Sequence, residues 1–337
     1  MSNMHSPTQG FVPVLAALAG NTIVTIIKAM AASVSGSSAM FSEAIHSFAD
    51  TLNQVLLLIG LRRSLKRPDE EYAYGYGNER FFFALLSACG IFFIGAGFTA
   101  YHAMETLLHP EPVAVSPIVF VVLALSAVIE SGALYAAVRE LRRAHPDVSW
   151  RDCVDAADSS TLAVLLEDSV AVLGIGIAAV SIVLTMVTGN AVWDALGSFV
   201  IAALLAFVAI VLVLKNRSHL LGRSMPEDMR EEVIALLNAE PAIEHVADFK
   251  STEMGFGVYR VKCEVEFNGG ALAREIFEDW SVEDQFEDAR ESVETFTRVM
   301  VDSVDRVPRL IGQTIDAVEA RIQKKFPQIH HIDIEIN

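Results

Sequence analysis

The stretch Val192–Leu214 reads VWDALGSFVIAALLAFVAIVLVL and holds a single ionisable side chain, Asp194. A run this long and apolar matches the roughly 30 Å hydrocarbon core of a bilayer, where lipid offers the backbone no hydrogen-bond partner and a helix must satisfy its own. Working outward, five more stretches of the same character lie near Thr161–Val187, Val115–Val138, Phe82–Met104, Met40–Leu61 and Phe11–Ala32. One such segment also suits a buried core helix; six in succession point to a membrane domain over residues 1–214. The first has no basic start and no small-residue cleavage site, so it is expected to be a span and not a leader.

Lys and Arg set the orientation, because short basic loops stay on the cytoplasmic side. Arg62, Arg63, Lys66, Arg67 and Arg80 flank the second connection, Arg139, Arg142, Arg143 and Arg151 the fourth, and Lys215, Arg217 and Arg223 follow the last span. The first, third and fifth connections carry none. Both termini are therefore expected on the cytoplasmic side, in a bacterial inner membrane.

Residues 215–337 change character and read as a cytoplasmic domain in the order helix, strand, strand, insertion, helix, strand. Glu227–Asn238 follows Pro226 with acids in its first turn, as a helix start does. In the strand Val258–Phe267, residues Tyr259, Val261, Cys263, Val265 and Phe267 alternate with Arg260, Lys262, Glu264 and Glu266, the period of a sheet with one wet face. A helix is predicted from about Pro308 to Phe326, with Ile311, Ile315, Val318, Ile322 and Phe326 along one side. Ile332, Ile334 and Ile336 alternate with Asp333 and Glu335 in a closing strand. Between them, residues 268–307 carry Glu275, Glu278, Asp279, Glu283, Asp284, Glu287, Asp288, Glu291 and Glu294, a pattern expected of a solvated insertion, with regulatory metal binding as the alternative.

The formal charge is −17, and residues 215–337 hold 25 acidic against 15 basic side chains, which argues against a nucleic-acid partner. Cys89, Cys153 and Cys263 form no CxxC pair, so neither a disulfide framework nor a thiolate zinc cluster is signalled. No P-loop, dinucleotide fingerprint or nucleophile–base pair appears, and the expectation is that the chain is not an enzyme.

Ionisable groups at membrane depth are costly, so each is a candidate for function. In Ser42-Glu43-Ala44-Ile45-His46-Ser47-Phe48-Ala49-Asp50, His46 and Asp50 stand four apart on one helix face, and Glu43 extends that face. An imidazole and a carboxylate so placed can reach one ion. The fifth span adds the adjacent Glu167 and Asp168, which diverge by about 100° and so cannot point the same way. The metal ligands read from this pattern are His46, Asp50, Glu167 and Asp168. One imidazole with carboxylates suits Zn2+ better than magnesium or calcium, and would also accept cobalt, nickel, iron or manganese. Protonated histidine cannot bind metal, which suggests H+ as the counter-ion of transport. The bland alternative is a His–acid network that only holds helices together.

Other polar groups in the spans read mainly as packing. Lys28 is expected to snorkel or to pair with Glu43, and His102, Glu105 and Glu130 to make helix–helix contacts. Asp194 is expected to favour its own helix start, and Asn21 and Asn53 to bond across helices. In the tail, His219, His245, His330 and His331 are weak metal candidates, His331 the best of them because it shares a face with Asp333 and Glu335.

Ser35-Gly36-Ser37-Ser38-Ala39-Met40, the HxxxD of His46 and Asp50, and Tyr74-Gly75-Tyr76-Gly77-Asn78-Glu79-Arg80 resemble the cation diffusion facilitators. Leu108-His109-Pro110-Glu111-Pro112 and the tail continue the likeness over nearly the whole chain. Leu165-Leu166-Glu167-Asp168-Ser169 and Leu221-Gly222-Arg223-Ser224 are most similar to the zinc transporter nine branch. The resemblance implies a homodimer, exchange of metal for protons at a site on spans two and five, and a ferredoxin-like tail that helps dimerise. The sequence departs from the commoner pattern where Val164 stands in place of the fifth-span histidine, so His46, Asp50 and Asp168 carry over by position, while Glu167 is inferred to replace the missing ligand. Tyr72 likewise stands where many members have histidine. The expected function is zinc efflux, with another divalent ion or a non-transporting metal sensor or scaffold as alternatives.

Overall fold

A computed structural model describes residues 11–109, 117–144, 149–150, 159–278 and 281–337. Arg151, Cys153, the Pro110-Glu111-Pro112 segment and Asp279 lie outside these. The chain divides into two compact units, Met1–Leu220 and Leu221–Asn337.

The first unit contains six helices long and apolar enough to cross a membrane. They are α1 (Phe11–Ser35), α2 (Ser38–Ser64), α3 (Glu79–Leu108), α4 (Pro117–Ala144), α5 (Ser159–Thr188) and α6 (Val192–Leu220). Helices α2 and α6 outrun the apolar stretches that signal them, through Arg62 and Arg63 in one and Arg217 and His219 in the other. Basic groups at a helix C-terminus complement its dipole and reach the headgroup layer along apolar stems, so the helix need not stop where the apolar residues do. Between α1 and α2 the chain turns at Gly36, whose φ of 67° suits a residue without Cβ. Ser37 then caps α2, its Oγ accepting from the Met40 N–H at 3.1 Å.

Helix α2 packs against α1, α3, α5 and α6. The interior uses small residues at these crossings, including Ala31, Ala39, Ala49, Ala88, Ala96 and Ala178. Small side chains let helix backbones approach where no water is squeezed out to drive association. Large apolar side chains such as Ile26, Met30, Phe93, Val128, Val187 and Phe207 are exposed on the outside, the surface that meets lipid. Helix α3 loosens to π-helical hydrogen bonding over Ile91–Phe98.

The second unit follows the predicted order. Helix α7 (Glu227–Asn238) precedes strands β1 (Ile243–Gly255) and β2 (Val258–Phe267); α8 (Gly269–Glu278), α9 (Val282–Glu291) and α10 (Val293–Lys325) lead to β3 (Ile329–Ile336). The sheet order is β1-β2-β3, antiparallel between β1 and β2 and parallel between β2 and β3. A parallel return demands a long crossover, which α8 to α10 supply. Val261, Cys263 and Val265 of β2 are buried with Val233, Leu237, Val318, Ile322 and Ile332, and burial pushes the Cys263 thiol up to about 12. Helix α10 differs from expectation. Pro308 lies inside it, not at its start. Upstream, Ser292 and Thr295 form a reciprocal capping box that starts the helix at Val293. The acidic insertion is therefore two short helices and half of a long one, and α9 buries none of its residues.

Candidate functional site

Helix α2 carries the site, and its first turn is fixed from another helix. Asp194, fully buried in the first turn of α6, accepts from Ser37 Oγ at 2.7 Å, from the Ser38 N–H at 2.5 Å and from the Ala39 N–H at 3.3 Å. Ser198 Oγ adds a bond to Ser38 Oγ at 2.9 Å. The carboxylate expected to serve its own helix end satisfies the orphan amides of α2 instead. Two turns on, His46 is buried and Asp50 half-buried, with His46 Nε2 3.5 Å from Asp50 Oδ2. Among the described residues, neither His46 ring nitrogen has a hydrogen-bond partner. A buried imidazole with both nitrogens free of hydrogen bonds is a costly arrangement that a ligand role would explain.

From α5, Glu167 is the residue tied to α2. Asn53 Nδ2 donates to Glu167 Oε2 at 2.6 Å, and Ser87 Oγ of α3 donates to Asn53 Oδ1 at 2.5 Å. The other Glu167 oxygen is buried with no partner among the described residues. Asp168 lies in the fields of Asp50 and Glu130. Among the described residues no three histidine, cysteine or acidic side chains converge closely enough to hold an ion together. The structure thus brings His46 to Asp50 and hangs Glu167 on Asn53. Val164, where the commoner pattern has histidine, is an exposed apolar residue.

Asn53 bonds across helices, as expected, and its partner is a site residue. It follows His46 by seven positions and Asp50 by three, which puts all three on one face of α2. Ser87 had no such signal, because only the packing of α3 brings it there.

Of the two roles expected for Lys28, the structure shows the pairing with Glu43. It does not snorkel: it is fully buried, with Nζ 3.2 Å from Glu43 Oε2 and 3.8 Å from Glu130 Oε1. Acids of α2 and α4 meet the ammonium at depth, so it has no reason to reach for a headgroup. Glu43 Oε1 has no hydrogen-bond partner among the described residues and fills the space a Cβ at Gly174 of α5 would need. His102 packs against Phe41 of α2 with the rings tilted at 45° and 4.2 Å apart, and lies 3.9 Å from Glu105.

Elsewhere the weaker candidates find other work. Asp333 and Glu335, which would join His331, pair instead with Arg260 at 2.6 Å and Lys262 at 2.9 Å across β2 and β3. His219 stacks on Phe81 at 4.7 Å. In the loop after α2, Tyr72 packs against Tyr76 with the rings tilted and 4.6 Å apart. There Lys66, the Tyr72 N–H and Tyr76 donate to Asp69 and hold its carboxyl well below the usual carboxylate range.

The family model for the cation efflux transmembrane domain matches residues 14–221, which take in α2 to α6, nearly all of α1, and His46, Asp50, Glu167 and Asp168. The chain belongs to the cation diffusion facilitators. Within that family it is 36% identical over 328 residues to the mouse protein named proton-coupled zinc antiporter SLC30A9, mitochondrial, covering 96% of this chain and 58% of the relative. The human counterpart is also 36% identical, over 331 residues and with the same coverage. Metal tolerance protein C4 of Arabidopsis thaliana is 34% identical over 309 residues, 89% of this chain and 68% of the relative. This facilitator thus lies in the zinc transporter nine branch, and it spans 58% of the length of its mouse and human relatives.

Proposed function

We propose that the chain is a proton-coupled zinc antiporter, with His46, Asp50, Glu167 and Asp168 as the residues that bind the ion in passage. The observation that carries this reading is the buried His46 imidazole, free of hydrogen bonds at both nitrogens, beside Asp50 and across from a Glu167 with one bare oxygen. The names of the mouse and human relatives support zinc as the cargo and protons as the counter-ion. Acids on two spans at similar depth support transport over a purely structural network.

The exchange follows from imidazole chemistry. Neutral His46 offers a lone pair to the metal; protonated His46 offers none and repels it. When the site opens to an acidic side, a proton on His46 displaces the ion, and when it opens to a more alkaline side the proton leaves and metal binds. Zinc affinity therefore falls as pH falls through the histidine range. Residues 1–214 form the transport domain in this reading, and residues 215–337 the cytoplasmic part through which two copies associate, with both termini on the side from which zinc leaves.

The test is flux of the full chain in sealed vesicles over zinc, manganese, iron, cobalt and nickel, with and without an imposed pH gradient. Zinc movement accelerated by an opposing proton gradient is the expected result. A rate indifferent to the gradient would remove the coupling, a faster second metal would reassign the cargo, and tight zinc binding without flux would make the protein a sensor.

A further inference from the structure

The transport reading leaves unused the fully buried ammonium of Lys28, one helical turn from the metal-binding face. It lies 3.2 Å from Glu43 and 3.8 Å from Glu130. Glu43 precedes His46 by three residues on the same face of α2, and the charge of Lys28 reaches both His46 and Asp50. Glu130 also acts on Glu43, Asp50 and Asp168, so the acids of α2, α4 and α5 feel one another's charge. Lys28 of α1 brings an ammonium to two of them.

A buried carboxylate without a partner is expensive, so a cluster of acids that must release its cation needs a second positive charge close by. A lysine is suited to that task, being a compact charge on a flexible stem whose three donors can turn from one carboxylate to another. Its two partners lie on different helices, and Glu43 is wedged against Gly174 with one oxygen bare, so the pair is held near the site but not saturated.

Resting on the proposed site, we infer that Lys28 is a tethered cation of the transport cycle. It neutralises Glu43 and Glu130 when the divalent ion has gone, and by repelling the bound ion it keeps affinity low enough for release. Lys28 is a positioning and counter-charge residue, not a ligand. Even screened as in water, one like charge near a divalent ion changes its affinity by on the order of tenfold.

The test measures zinc binding by the purified full chain through competition with a chelating dye, alongside zinc flux in vesicles. Lys28→Gln should bind zinc about tenfold tighter while maximal flux falls, and Lys28→Arg should stay near wild type. Glu43→Gln, which frees the ammonium to repel, should bind about tenfold weaker, and Lys28→Gln/Glu43→Gln should return close to wild type. If Lys28→Gln fails to fold, the comparison of Glu43→Gln with the double variant still decides. A double variant no tighter than Glu43→Gln, or a folded Lys28→Gln with unchanged or weaker affinity, overturns the inference. Asp50→Ala separates this from the site itself: full affinity there would sink the site, whereas lost affinity with no tightening in Lys28→Gln would sink only the role of Lys28.

Discussion

The polar face of the tail sheet and the polar interior of the helix bundle contain the same side-chain types and treat them in opposite ways. Across β2 and β3 two pairs of opposite charge meet, Arg260 with Asp333 and Lys262 with Glu335, and both are partly exposed. Around α2, Glu43 and Glu130 share one lysine, and buried oxygens and nitrogens of Glu43, His46 and Glu167 have no hydrogen-bond partner among the described residues. Water makes the surface pairs nearly neutral in energy whether formed or broken. In the membrane the unmatched groups carry a cost that folding alone gives no reason to keep. Imbalance at depth, more than the number of charges, marks the working part of the molecule.

Removing a ligand should separate the two regions most sharply. His46→Ala or Asp50→Ala is expected to lower zinc flux in vesicles by more than the ~10–100-fold typical of losing an outer-shell partner of a metal ligand. Asn53→Ala, which frees Glu167 without touching the ion, should fall inside that ~10–100-fold range and leave the folded helix content unchanged by circular dichroism. If Asn53→Ala equals Asp50→Ala, Asn53 is itself a ligand. Asp194→Ala should act on stability: losing the cap of α2 is expected to cost about 0.5–2 kcal/mol, read as a lower unfolding temperature in detergent. Least affected should be Lys262→Ala, with little change in the unfolding temperature of the tail and unchanged flux. A large flux defect there would break the contrast altogether.

Much of this was legible in the sequence because its signals are local. The spans announce themselves by apolar length, and His46 and Asp50 by a spacing of four that one helix converts directly into a shared face. The alternation of Tyr259 to Phe267 likewise placed Val261, Cys263 and Val265 on the buried side before any packing was known. What stayed hidden depends on helices meeting. Lys28 was expected to pair with Glu43 of α2, but it has a second partner in Glu130 of α4, and nothing in the spacing of residues 28 and 130 says so. Asp194 looked like a cap for its own helix, yet its oxygens belong to α2. Pro308 misled for a different reason: proline favours a helix start, but the upstream capping box and the continuing apolar stripe of α10 outweighed the one hydrogen bond it removes.

The cap that Asp194 places on α2 also bears on movement. Three donors from α2 end on one buried carboxylate, and at that depth neither side has another partner to turn to. The start of α2 is in effect pinned to α6, while farther along Asn53 ties it to Glu167 of α5 and Ser87 of α3. Asp50 lies about 18 Å along the helix from Ser38, at about 1.5 Å per residue, so a tilt of about 10° about the pin carries it through about 3 Å. That is the size of a change in metal coordination, obtained from a lever whose fulcrum is three hydrogen bonds.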